Sequence, residues 1–160
     1  MTHARPLEFE FVDHDDAVLL GHMAALSATR TGWINMEPVI DDEHEPPAPG
    51  PFAFLGGSTH KVPTITWMPG KLVNGTAKPT TVGLLHAVGP RIAWKLRDVG
   101  MPLPEGWRIT QDHPRRGLVA MVPSDADDAT AIDWLLQAAS FACAVPTTGR
   151  WTAYVHAGLA

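Results

Sequence analysis

Charged residues make up only 18% of the 160-residue chain, the formal net charge is -5, and 45% of the residues are apolar. That balance argues against nucleic acid as a partner, because phosphate binding needs a basic surface and the longest basic run is Arg115-Arg116. Fifteen prolines and fourteen glycines imply many rigid turns, without the period of a fibrous chain. The lone Cys143 excludes an intramolecular disulfide, and its apolar setting (SFACAV) predicts a buried thiol. No signal-like start is present, and no window approaches the roughly 18 apolar residues of a membrane span. The expectation is a cytoplasmic protein with no membrane partner. Its length suits a single compact α+β domain over 1–160, with 1–70 and 81–160 as possible halves.

In chain order, residues 7–11 (LEFEF) alternate and predict a strand. Asp13 then caps a helix over 14–30, with Ala17, Leu20, Ala24 and Leu26 to Ala28 as its apolar stripe and Gly32 as its stop. A strand follows at 33–36. The acidic stretch 41–50 (DDEHEPPAPG) has little to bury and reads as an exposed loop. Strand-like runs lie at 52–55 and 62–68, separated by a Gly56-Gly57-Ser58 turn. Asn74-Gly75 signals a hairpin within 69–79.

The second half is more regular. A strand at 81–87 leads through Gly89-Pro90 into a helix over 90–100, with Ile92, Ala93, Leu96 and Val99 on one face. Residues 107–122 fold back on themselves as a hairpin around 113–117. A helix over 127–142 presents Ala131, Ile132, Leu135, Leu136 and Ala139, and the last strand is 151–156. The order across 81–158 is βαββαβ, the split βαβ arrangement of the ferredoxin-like fold, with the 107–122 hairpin as its central pair. The preceding βαββ segment is expected to extend or cover that sheet.

Alternation in the last strand turns Trp151, Ala153 and Val155 toward the helices and Thr152, Tyr154 and His156 away. In a ferredoxin-like order the strands at 81–87 and 151–156 are neighbours. His86 would then meet His156 near one end of the open face, with Gln111 and His113 approaching. His113, Asp112 and His86 form the candidate acid–base set. Arg115, Arg116, Arg91 and His156 are the candidate ligand-binding groups. An arginine fork takes carboxylate or phosphate, and the Gly89-Pro90-Arg91 helix start collects unpaired amides. The plainer reading of the hairpin tip is a solvated turn held by Pro114 and Gly117.

No His-Glu-x-x-His, Cys-x-x-Cys, dinucleotide or Walker spacing occurs, so no metal or cofactor is expected. Ser58 and Ser140 lack the context of a hydrolase nucleophile. Six tryptophans are many for this length, and Trp94 and Trp134 lie off the apolar helix faces, as partner surfaces often do. The functional expectation is a homodimer that binds a small anionic ligand or a protein partner. The alternatives are a small enzyme using His113, Asp112 or His86 on an anionic substrate, and a purely structural interaction module.

Overall fold

The computed structural model describes residues 4–44 and 62–158. The expected strand at 52–55, the Gly56-Gly57-Ser58 turn and positions 45–50 of the acidic stretch lie outside those residues. Among the described residues, seven strands form one antiparallel sheet: β1 (Leu7–Val12), β2 (Trp33–Pro38), β3 (Thr64–Met68), β6 (Thr80–Leu85), β7 (Arg108–His113), β8 (Gly117–Val122) and β9 (Arg150–His156). Their order across the sheet is β1-β9-β2-β3-β6-β8-β7. A separate two-stranded hairpin joins β4 (Leu72–Val73) to β5 (Thr76–Ala77). Its turn is the Asn74-Gly75 pair, both at positive φ (50° and 76°), as a tight hairpin requires. The helices are α1 (Ala17–Thr29), α2 (Ile92–Asp98) and α3 (Asp128–Ala142).

The protein is thus a mixed α+β fold with a large antiparallel sheet, and the N-terminal strands belong to that same sheet. The ferredoxin-like order is not what the strands adopt. β6, β8 and β7 are neighbours in the expected sequence, but β9 lies between β1 and β2, with β2 and β3 separating it from β6. The 107–122 hairpin closes one edge of the sheet instead of forming its centre. β2, β3 and β6 pair in succession, so the side of β6 that β9 would need is already occupied. β8 and β9 are four strand spacings apart, about 19 Å, and the 15 residues of α3 cover about 22 Å, enough to carry the chain across.

The three α-helices of the described residues pack on one face. Each of them links strands that point the same way, and a uniform crossover hand then places every helix on the same side. The residues that meet them alternate along the strands and align across them. Ile34, Trp67, Val82 and Ala120 make one buried row; Met36, Ile65, Leu84 and Leu118 make the next. Trp151, Ala153 and Val155 join this core, as the alternation of the last strand requires.

From α3 come Ala131, Ile132, Leu135, Leu136 and Ala139, all buried. Asp127 caps that helix by accepting the Thr130 amide at 2.9 Å, and its bonds to Thr130 hold its carboxyl below the usual range. Next to it, burial and then the Asp127 charge push the Asp128 carboxyl up.

In α1 the buried positions are Leu19, Met23 and Leu26, not the stripe of Ala17, Leu20 and Ala24. The larger side chains decide which way the helix rolls, since each buries more apolar surface than an alanine. The helix also begins three residues later than expected, at Ala17, because Val12, Asp13, His14 and Asp15 form a tight turn closed by the Asp15 amide on the Val12 carbonyl. Its end is made by Arg30 in the left-handed region, with Gly32 two residues beyond. Cys143 closes α3 and is half-buried, not fully enclosed.

Candidate functional site

The face of the sheet opposite the helices has no helix over it among the described residues. Register defines three rows across it. The first runs His156, Trp33, Met68, Thr81, Met121 and Arg108; the second Glu8, Tyr154, Asn35, Thr66, Gly83, Val119 and Gln111. The third runs Glu10, Thr152, Glu37, Thr64, Leu85, Gly117 and His113. Acidic groups stand at the β1 and β2 side and arginines at the β7 side, with a neutral threonine-rich middle.

Two threonines of the middle are paired with neighbours on β2. The Thr66 hydroxyl donates to Asn35 Oδ1 at 2.9 Å, and the Thr64 hydroxyl donates to Glu37 Oε1 at 3.2 Å. Trp33 stacks on His156 with ring centroids 4.6 Å apart and planes 11° from parallel. Burial, then the Glu37 and Glu8 charges, push the Tyr154 hydroxyl above its ordinary value of 10.0, so it stays a hydrogen-bond donor at neutral pH. Trp33 and Met68 remain 40% and 42% exposed. Around Gly83 the face dips into a concavity of about 350 Å³, walled by Thr64, Thr66, Thr81, Leu85 and Val119, with Arg116 at its rim. A glycine inside a central strand packs nothing of its own and lets another backbone or a ligand come close.

The groups singled out from sequence are distributed differently. His86 lies beyond the end of β6 on the helix-covered side, 1% exposed, and its Nδ1 accepts the Val88 amide at 3.3 Å. His156 is on the open side, so the two histidines do not meet: β2 and β3 stand between their strands and they face opposite ways. Asp112 and His113 alternate to opposite faces. His113 Nδ1 accepts the amides of Arg115 and Arg116 at 3.1 and 3.2 Å, so this imidazole organises its own turn. Arg115 and Arg116 are exposed, and only Arg116 reaches the concavity. Gln111 donates to the Arg116 carbonyl at 2.9 Å, tying the tip back to β7.

Asp112 fills the helix start that was expected to hold an anion. Its two carboxylate oxygens accept the Ile92 and Ala93 amides, both at 3.2 Å, while Arg91 sits before them in the left-handed region without a side-chain cap. A side chain from the hairpin therefore acts as the N-cap of α2. Asp112→Ala should lower stability by about 1–2 kcal/mol and accelerate exchange of the Ile92 and Ala93 amides. Unchanged exchange at those two amides would show that the carboxylate does no capping.

A second feature is not anticipated by the sequence reading. A cleft of about 740 Å³ lies between the β1–α1 turn and α3, lined by Asp13, His14, Asp16, Met101, Asp133, Gln137 and Ser140. The run 13-DHDD-16 is its signal in the sequence; the capping role expected of Asp13 is not adopted, since α1 starts after Asp16, which makes no side-chain cap bond. One of these carboxylates is committed to the fold, since Asp13 Oδ1 accepts the Trp151 indole N–H at 2.6 Å. Among the described residues, no three His, Cys, Asp or Glu side chains group as metal ligands.

Of the two tryptophans expected at the surface, Trp94 is 56% exposed beneath the Arg97 guanidinium, 4.5 Å from its ring centroid. Trp134 is half-buried, edge-on to Trp107 and hydrogen-bonded to the Pro102 carbonyl. No helix among the described residues is long and apolar enough to cross a membrane. Comparison with protein families, with curated proteins and with solved structures returns no match to this chain.

Proposed function

We propose that this chain is a binding protein whose working surface is the open face of the sheet, and that its partner is a protein. The observation that carries this reading is the face itself. It is broad and mostly polar but leaves Trp33 and Met68 exposed, and it dips at Gly83 where a partner's atoms can approach the backbone. Two threonines of its middle are internally hydrogen-bonded, so covering them strands few donors.

Gly83 offers a direct test. A Cβ added there would have the Leu118 carbonyl at 3.8 Å and Thr66 Cβ at 3.9 Å as its nearest neighbours, both ordinary contacts, and the rest of the side chain would project from the open face. Gly83→Arg should therefore keep the wild-type circular dichroism spectrum while abolishing, by at least about 100-fold, any association the wild-type chain shows in sedimentation velocity. An association that survives this change intact does not use the open face.

A second reading, a small anionic ligand with an apolar body, is favoured by Arg116 at the rim of a concavity walled by methyl groups and threonines. Replacing Arg115 and Arg116 with glutamine would then weaken binding of benzoate followed by chemical shifts at Thr66 and Leu85. Equal benzoate affinity in the variant and the wild type sinks that reading. Acid–base catalysis by His113, Asp112 and His86 has less support, because each accepts a backbone amide as a local structural bond.

A further inference from the structure

Resting on the open face as a docking surface, we infer that its occupant is a second copy of this chain, laid face to face with the two-fold axis along β3. β3 is the fourth of seven strands, so an axis along it lays the whole face on its own image. Rotation about that axis keeps each position along the strands and exchanges the two sides of the sheet.

Charge selects this axis over the alternative. Glu8, Glu10 and Glu37 lie on the β1–β2 side of β3, and Arg108 and Arg116 lie on the β7–β8 side. Glu37, Thr64 and Leu85 are successive members of the third row, and Leu85 shares the concavity with Arg116. The rotation therefore brings Glu37 of one copy over Leu85 of the other, at the concavity that Arg116 also lines, twice, on either side of the axis. It also brings Glu10 toward His113 at the rim. An axis perpendicular to the strands would instead set β1 on β1 and the acidic side of one copy on the acidic side of the other, which like charges oppose. Arg150, the cation among the described sheet residues on the acidic side, is opposite Val12 at the far end of β9, outside the three rows.

Seven strands span about 29 Å and five-residue strands about 17 Å, a flat projected area near 500 Å², against the roughly 800 Å² of accessible surface per partner in a standard stable interface. The neutral centre supplies the contact: Thr66 and Met68 meet their images, and each copy's Asn35 comes to the other's Gly83. In this arrangement the carboxylate that Arg116 receives comes from Glu37 of the second copy.

Sedimentation equilibrium of the full chain tests the inference with two charge reversals and their combination. The wild type should have twice the mass of one chain. Arg116→Glu and Glu37→Arg should each raise the dissociation constant about 100-fold, and the double variant, with the pair exchanged, should recover most of it. Because Glu37 also accepts from Thr64, Glu37→Gln serves as a milder check, with a smaller rise. A monomeric wild type overturns the inference, as does a dimer indifferent to both reversals. Disruption by Gly83→Arg without any effect of the reversals overturns the axis. A monomeric wild type that binds another protein or benzoate through Gly83 overturns the second copy and leaves the docking surface standing.

Discussion

Gly117→Ala is expected to destabilise the protein by about 3–5 kcal/mol, by far more than the same change at Gly75. Gly117 holds φ at +81°, where an L side chain is strained, and an added Cβ would lie 2.5 Å from the Leu84 carbonyl oxygen and 3.1 Å from its carbon. That carbonyl belongs to β6, the neighbour of β8, so it cannot swing aside without breaking the ladder between them. Gly75 has nearly the same φ, +76°, and nothing within 4 Å of its added Cβ. Alanine there should cost only the backbone term, about 1–2 kcal/mol. Urea unfolding of the two variants separates strain from close approach. Equal losses would mean that contact with β6 contributes nothing.

Removal of the Trp151 side chain is the second large effect. Trp151 is fully buried and sits between Phe11 on β1 and Pro38 on β2 in the sheet. Trp151→Ala should cost about 3–5 kcal/mol through lost burial and the cavity left behind. The indole also makes a polar contact, because its N–H donates to Asp13 at the β1–α1 turn. Asp13→Ala would leave that donor buried without its acceptor and should cost about 1–3 kcal/mol. A cycle with Trp151→Phe, which keeps an aromatic ring and removes the donor, isolates the bond because the lost bulk is common to both arms. Additive losses in that cycle would show that the bond adds no stability.

These two residues also separate what the sequence makes legible from what it does not. Trp151 belongs to the helix side because the last strand alternates, and alternation is a property of the strand alone. The apolar face of α3 is legible for the same local reason, as is the Asn74-Gly75 turn. Gly117 is legible as a turn residue. Its closeness to Leu84 comes from a pairing 33 positions away in sequence, and nothing local encodes it. His86 and Asp112 follow the same rule. Each has the side-chain chemistry of a catalytic group, but the tertiary contacts put one beneath the helices and make the other the cap of α2.

By itself the sequence determined the type of most described elements and the inward side of the last strand, because hydrophobic period and turn chemistry act over a few residues. It also placed an acidic balance on the chain and arginines at one hairpin tip. Only the tertiary structure decided which strands are neighbours. Strand order depends on crossovers such as α3, whose reach across four strand spacings is a matter of length and packing, not of local preference. That order alone separates His86 from His156, sets Glu37 and Arg116 on opposite sides of β3, and leaves one whole face of the sheet without a helix among the described residues.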